Sequence, residues 1–288
     1  MEVELRDEFW SAGEGLKMRV RRGGSGGPCV IFDAGWGQWS AAWAVIQSAV
    51  AEQTRTFSFD RLGLGKSDRP REERSAFQLA DELQQALREA QEPGPYLYVG
   101  HGFGAVHARM LAHREPQVRA MVLVDPVVLA LGVSKPFEEH RNLGLGRLRH
   151  WRWLAAAHLL TPVNFLLRRP AEARRLPRAA AKELRYGHSS SVLDAQVSEL
   201  LALEMSMEQL RVVGAPNVPL VVLSASEDWL PGPGVPGATE TRVQSMHRKL
   251  AESTPLGAHR VVPNTSHHLH LDAPDSVIQA VLEVLPRI

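Results

Sequence analysis

The residues with the clearest chemical potential lie at the end of an apolar run, where three glycines alternate with other residues. Residues 96–104 have the sequence Tyr-Leu-Tyr-Val-Gly-His-Gly-Phe-Gly. In a nucleophile elbow, a strand turns sharply into a helix, the central residue carries the attacking group, and small neighbours let the turn close. The central residue here is Gly102, which has no side chain. The pattern alone fits either an elbow without its nucleophile or a turn that cradles phosphate.

The elements that position this turn are predicted from the periodicity of apolar residues. Two alternating stretches, residues 3–9 and 16–22, predict a β-hairpin at the start of the chain. Apolar strands that alternate with helical segments predict an α/β fold with a mostly parallel sheet covered on both faces. The expected strands are residues 29–32, 56–59, 96–99, 121–124, 220–223 and 260–262, and the expected helices include residues 75–92, 105–114 and 275–284.

The alternation stops between residues 126 and 217, where helical segments rich in Leu, Ala and Arg replace the strands. We predict that this segment is an inserted helical cap on a core formed by residues 1–125 and 218–288. Within it, residues 141–185 contain eleven Lys or Arg and two Glu. Trp151 and Trp153 are expected to cover a substrate pocket. The alternative interpretation is weak contact of this basic cap with a membrane surface.

Composition narrows the classes of protein to which the chain can belong. Its 288 residues carry 33 Lys or Arg and 32 Asp or Glu, and this balance argues against a nucleic-acid partner. The lone Cys29 excludes an internal disulfide and favours a reducing compartment, so a cytoplasmic location is expected. No uncharged apolar run approaches the ~20 residues of a membrane span, so stable membrane insertion is not expected.

Four further motifs stand in the order that a known family uses. Together with the glycine turn, they resemble the α/β-hydrolase superfamily, and in particular its small esterase and lipase-like group, over most of the chain. The resemblance implies the α/β-hydrolase fold, a mostly parallel central sheet flanked by helices with an inserted helical cap. The motifs are Ile-Phe-Asp-Ala-Gly-Trp-Gly-Gln at residues 31–38, Phe-Asp-Arg-Leu-Gly-Leu-Gly-Lys-Ser-Asp at 59–68, Met-Val-Leu-Val-Asp-Pro at 121–126 and Thr-Ser-His-His-Leu-His-Leu-Asp-Ala-Pro at 265–274.

The resemblance also implies the residues that carry the chemistry. It places the triad histidine at His267 and the nucleophile at Gly102, a position that has no side chain with which to attack. The implied acid is Asp228, in the loop after the strand at residues 220–223, and Asp125 is the alternative acid. The implied oxyanion donors are the backbone N–H groups of Trp36 and Phe103.

Two polar residues near the site have both a functional and a supporting interpretation. Asp33, at the end of the strand before the oxyanion loop, is either a polar group of the substrate pocket or a residue that stabilises the loop. His101 either shapes the floor of the pocket or supports the strand-to-helix turn.

His267, His268, His270 and Asp272 superficially suggest a metal site. Because neighbours on one loop rarely converge on an ion, we predict no metal and no other cofactor.

Three hypotheses for function remain open from the sequence. In the first, His267 and its acid activate water or a substrate atom above Gly102. This would give noncovalent hydrolysis, or related lyase, isomerase or cyclase chemistry, on a small or medium apolar ester-like molecule. In the second, the chain is a serine esterase inactivated by an engineered Ser-to-Gly change at position 102. In the third, it is a noncatalytic homologue that binds a ligand without converting it.

Overall fold

An eight-stranded sheet organises the chain in the computed structural model, which describes residues 3–128, 142, 145–146, 175–186, 189–227 and 240–288. The spatial order of the strands is β1-β2-β4-β3-β5-β6-β7-β8. The first hairpin is antiparallel and joins β4 in antiparallel fashion, whereas all pairs from β4 to β8 are parallel. The predicted fold class is therefore confirmed. The strands are β1 (Arg6–Ser11), β2 (Lys17–Gly23), β3 (Cys29–Asp33), β4 (Arg55–Phe59), β5 (Tyr96–His101), β6 (Val118–Val124), β7 (Leu220–Ala225) and β8 (Gly257–Val262).

The central strands are buried on both faces, which explains why they appear in the sequence as unbroken apolar runs. Every residue of β3, β5 and β7 is buried. Two apolar clusters pack against the two faces of the sheet. The parallel register pairs Asp33 with Gly100 and His101 with Val124. The carboxyl ends of β3, β5 and β6 therefore meet at one edge of the sheet, where α/β folds place their sites.

Several helices begin at residues that the capping rules favour. The Ser75 side chain accepts a hydrogen bond from the backbone N–H of Gln78, and Thr241 and Gln244 form a capping box. Pro274 occupies the first turn of its helix, where a missing N–H costs nothing. The helices are α1 (Ala44–Ala51), α2 (Ala76–Glu89), α3 (Gly104–Arg114), α4 (Arg178–Tyr186), α5 (Ser190–Leu201), α6 (Leu203–Val213), α7 (Arg242–Glu252), α8 (Leu269–Asp272) and α9 (Pro274–Val284), with 3-10 turns at Ser40–Trp43 and Leu285–Arg287.

Three of these helices, α4 to α6, fall in the segment expected to form the cap. Helix α6 packs against α2 and α3 of the core, and α4 packs against the 3-10 turn at Ser40–Trp43. Trp151 and Trp153 lie outside the described residues, so their place over a pocket stays a prediction, as does the division into core and cap. Among the helices that the structure describes, none combines the length and the apolar character that crossing a bilayer requires.

Candidate active site

The glycine turn has the steric requirements of an elbow. A Cβ on Gly100 would lie 2.7 Å from the backbone nitrogen of Ala105, and a Cβ on Gly104 would lie 2.5 Å from the carbonyl oxygen of Asp33. Since real Cβ contacts are longer than this, both flanking positions need glycine. Gly102 itself has a φ of +51°, in the left-handed region that is costly for residues with a side chain.

The open side of Gly102 faces His267. A Cβ built on Gly102 would lie 3.2 Å from His267 Nε2, and the nearest atom of any other residue is Gly35 Cα at 3.8 Å. The backbone is fixed in this position because the Gly102 N–H donates to the carbonyl oxygen of Val124, at 3.0 Å. The turn thus has the geometry that would present a serine hydroxyl to an imidazole, and it contains no hydroxyl.

The carboxylate bonded to His267 is Asp125, the alternative acid of the sequence analysis. His267 Nδ1 lies 2.6 Å from Asp125 Oδ2. Asp228, the preferred acid of the sequence analysis, lies outside the described residues, so its role stays a prediction, whereas the contact of Asp125 with His267 has a clear cause in the fold. The physical reason is the sheet order, because β6 is adjacent to β5 and its end brings Asp125 beside the elbow. A carboxylate can only accept here, so Nδ1 carries the proton and the lone pair of neutral His267 is on Nε2, towards Gly102.

Asp125 is held from several directions. It is 1% exposed, its N–H donates to the carbonyl oxygen of Leu223 at 2.7 Å, and its Oδ1 accepts from the N–H of Ala225 at 2.9 Å. Its φ of +42° is unusual for a residue with a side chain. Strained residues of this kind persist only when their surroundings determine them, which is common at active sites.

The expected oxyanion donors lie beside the turn. Gly35, next to Trp36, is the backbone segment nearest to the open side of Gly102 after His267. Among the described residues, no acceptor takes the backbone N–H of Trp36 or of Phe103. The Trp36 side chain is 39% exposed, and its indole N–H donates to the carbonyl oxygen of Gln196 in α5, at 2.9 Å. The oxyanion loop therefore contacts the segment expected to form the cap.

Asp33 does not line the site, which corrects its assignment to the substrate pocket. The side chain is completely buried, and its oxygens accept from Arg61 Nη1 at 2.6 Å and from the Tyr98 hydroxyl at 3.0 Å, with His107 Nδ1 at 2.9 Å. Burial alone would raise the pKa of Asp33, but Arg61 and His107 hold it below its ordinary value. Arg61 also donates to the carbonyl oxygens of Ala34 and Gly35, so the cluster stabilises the oxyanion loop.

His101 also supports the site instead of lining it. It is 1% exposed, and its Nε2 donates to the backbone carbonyl of His267 at 2.8 Å, which corrects its assignment to the pocket floor. Its ring centroid lies 4.1 Å from that of the buried His270. Burial lowers the pKa of both imidazoles well below the ordinary value, and the neighbouring rings of His267 and His268 lower it further. Within the described ranges, no group of three His, Cys, Asp or Glu could hold a metal ion.

Two parts of this site carried no signal in the sequence. Glu199, 138 positions after Arg61, forms a buried ion pair with it at 2.7 Å. Ser224, His247 and His259 form a hydrogen-bonded row behind Asp125. Neither set belongs to a motif, because each is assembled by the packing of separate elements. The alternation of β7 and β8 with α7 could have indicated that these residues come near each other, but not that they bond.

Comparisons with known proteins identify the family. The model of the Alpha/beta hydrolase family matches residues 25–280. The uncharacterized protein YqjL of Bacillus subtilis (strain 168) is 26% identical over 264 residues, which cover 91% of this chain and 85% of that protein. The chain belongs to the α/β-hydrolase family.

Solved structures share the fold over nearly the whole chain. The epoxide hydrolase CorEH superposes with a TM-score of 0.73 at 18% identity and covers 100% of both chains. A thermophilic esterase from Thermogutta terrifontis has a TM-score of 0.70 at 17% identity, over 99% of this chain and 98% of that one. The Cif epoxide hydrolase from Acinetobacter nosocomialis has a TM-score of 0.76 at 16% identity, over 98% of this chain and 89% of its own. At these identities the likeness concerns the fold.

Proposed function

We propose that this protein hydrolyses small or medium apolar esters without a covalent intermediate, with His267 as general base and Asp125 as the residue that orients it. The observation that carries the proposal is the position of His267 Nε2, 3.2 Å from where a Cβ of Gly102 would stand. Gly102 leaves room there for a water molecule or a substrate atom in place of a serine hydroxyl. Membership of a family of hydrolases supports hydrolysis as the class of reaction.

The reaction follows from the direction of the hydrogen bonds. Nε2 of neutral His267 takes a proton from water above Gly102, and the water oxygen forms a bond to the ester carbonyl carbon. The carbonyl oxygen gains the negative charge, which the backbone N–H groups of Trp36 and Phe103 stabilise. When the bond from carbon to the alcohol oxygen breaks, that oxygen takes the proton from Nε2, and the acid and alcohol leave.

Asp125 stabilises the charged form of His267 during this cycle. While Nε2 carries the transferred proton, the imidazolium lies 2.6 Å from the buried carboxylate. The same bond keeps the ring in the tautomer that exposes a basic nitrogen towards Gly102. An ester carbonyl suits this proposal because it develops one oxyanion, which the two expected backbone donors would stabilise.

The test is hydrolysis of p-nitrophenyl esters with acyl chains of increasing length by the protein as it stands. His267→Ala should lower kcat/KM by about 10²- to 10⁴-fold, the usual contribution of general base catalysis. The matched control is His268→Ala, which removes the neighbouring imidazole and should leave most of the activity. Equal activity of His267→Ala and the unchanged protein would contradict the proposal. Tight binding of an ester that is never turned over would instead favour the noncatalytic homologue.

A second candidate function is supported by the intact elbow geometry. If the scaffold is that of a serine esterase with its nucleophile replaced, Gly102→Ser should gain strong esterase activity and become labelled by a serine-directed phosphonate. The hydroxyl of the introduced serine would lie within hydrogen-bonding reach of His267 Nε2, because the Cβ position at residue 102 is 3.2 Å from that nitrogen. A Gly102→Ser protein that neither hydrolyses esters nor takes the label would argue against this candidate.

A further inference from the structure

A row of three hydrogen bonds lies behind the acid, on the side away from His267. His259 Nε2 in β8 is 2.7 Å from Ser224 Oγ in β7, which is 2.7 Å from His247 Nδ1 in α7. His247 Nε2 is in turn 2.7 Å from the carbonyl oxygen of Pro126, the residue after Asp125. His247 is completely buried, and the proposed reaction does not use it directly.

The directions of the three hydrogen bonds are set by the carbonyl oxygen of Pro126 at the end of the row. A carbonyl oxygen can only accept, so the His247 Nε2 carries a proton and donates it to Pro126. Burial lowers the pKa of His247, and the attraction of Asp125 offsets this only in part, so the ring is neutral. Its Nδ1 therefore accepts the Ser224 hydroxyl proton, and Ser224 Oγ accepts from His259 Nε2–H. All three bonds are satisfied in one arrangement of protons.

His247 acts on Asp125 through the backbone of Pro126 and not through a direct hydrogen bond. Asp125 Oδ1 lies 3.9 Å from His247 Nδ1, beyond hydrogen-bonding distance, so the two are not directly bonded. The other titratable groups that bear on the ring are His259, through Ser224, and His267, on the far side of Asp125. The contact of His247 with this segment is thus through the Pro126 carbonyl. That carbonyl directly follows Asp125, whose φ of +42° requires support.

We propose that His247 is a positioning residue, which holds the backbone at Pro126 so that the Asp125 carboxylate is aimed at His267 Nδ1. This inference rests on the proposed function, since it concerns the same pair of residues. The restraint acts on both sides of Asp125: the N–H of Asp125 donates to Leu223, and the carbonyl of Pro126 accepts from His247. Without the hydrogen bond from His247 to Pro126, the Asp125 carboxylate should turn away from His267. The proton of the neutral His267 ring should then no longer be held on Nδ1.

The readout is the tautomer of His267 in the folded protein, observed by ¹⁵N NMR with labelled histidine and assigned from the signals lost in His267→Ala. At a pH where the ring is neutral, the bond to Asp125 should hold the proton on Nδ1. This readout needs no substrate. A change that only lowered stability would leave the tautomer of the folded molecules unaltered.

The variants form a matched pair of uncharged amides. In His247→Gln, the amide nitrogen can take the place of Nε2 and donate to Pro126, so the Nδ1–H form of His267 should persist. In His247→Asn, the shorter side chain does not reach Pro126, and the Nδ1–H form should be lost to a mixture with Nε2–H. Retention of the Nδ1–H form in His247→Asn, or its equal loss in both variants, would overturn the inference.

Ser224→Ala provides the second test, because it leaves His247 in place but removes the donor that orients it. A partial shift of His267 towards the Nε2–H form is expected. If neither variant at position 247 folds, an unchanged tautomer in Ser224→Ala overturns the inference by itself. Failure of the proposed function has a different signature: ester hydrolysis would then be absent, or equal in His267→Ala, whereas failure of this inference is read from the His267 tautomer in the variants at positions 247 and 224.

Discussion

At the scale of single residues, Gly102 has two properties that any substitution would affect. Its backbone lies in the left-handed region, and its missing side chain leaves space beside His267. Any side chain at this position would be strained by the backbone and would also press on the imidazole, because a Cβ 3.2 Å from Nε2 is closer than most such contacts. Glycine therefore relaxes the turn and leaves this position without a side chain that could attack a substrate.

Gly102→Ser should lower the free energy of unfolding by about 1–3 kcal/mol, the cost of holding a residue with a Cβ in a strained conformation. The measurement is urea-induced unfolding. Gly26→Ser is the matched control, since Gly26 also has a positive φ, +68°, but nothing lies within 4 Å of its Cβ position. A larger loss at position 102 than at 26 would report the contact with His267. A Gly102→Ser protein more stable than the parent would show that the turn is not elbow-like.

At the scale of elements, helix α5 is attached to the oxyanion loop through a buried ion pair. Arg61 lies between Glu199 of α5 and Asp33 at the end of β3, and all three side chains are at most 2% exposed. Because Arg61 also holds the carbonyl of Gly35, it orients the peptide that contains the Trp36 N–H. A change in the position of α5 would therefore also move the backbone N–H of Trp36, the expected oxyanion donor.

Glu199→Ala should destabilise the protein by about 3 kcal/mol, because it leaves the buried Arg61 guanidinium without one of its two carboxylates. The control is Arg69→Ala, which breaks an ion pair to the same helix from a side chain that is 61% exposed and should cost less than about 1 kcal/mol. Thermal unfolding of both variants checks the prediction. Equal losses in the two proteins would contradict the role given to the buried pair.

The sequence predicted the strands well, because a strand buried on both faces must be apolar throughout and is bounded by turns. The elbow was also predictable, since its two flanking glycines have steric causes. The contact of Asp125 with His267 was not, because Asp125 and Asp228 both follow predicted strands and only the packing of β6 beside the elbow brings Asp125 to His267. Glu199 and His247 could not be predicted either, since their partners are distant in the chain and belong to no motif.

At the scale of the whole molecule, four imidazoles of the described residues are buried, and burial disfavours their charged forms. The pKa of each of these rings is depressed by burial, although Asp33 and Asp125 partly offset the effect for the two nearest to them. The rings are those of His101, His107, His247 and His270. Below the ordinary value of 6.5, the unfolded chain binds protons that the folded protein does not, so stability must fall as the pH decreases.

The free energy of unfolding should therefore decrease between about pH 7 and pH 5, by up to about 1.4 kcal/mol per pH unit for each buried imidazole. His270→Leu should reduce this slope, because it removes one of the rings, and should cost little at neutral pH, since neither ring nitrogen of His270 bonds to a described residue. Urea titrations at several pH values check both statements. An unchanged slope in His270→Leu would contradict this origin of the pH dependence.

The proposed reaction depends most on the pairing of His267 with Asp125 beside a turn whose central residue, Gly102, has no side chain. The most direct measurement is kcat/KM for ester hydrolysis by Asp125→Asn and Asp228→Asn, compared with the unchanged protein. Asp125→Asn should lose about 10²-fold or more, because the amide cannot stabilise the imidazolium or fix its tautomer, whereas Asp228→Asn should retain most of the activity. Full activity in Asp125→Asn, with the loss in Asp228→Asn instead, would contradict the account.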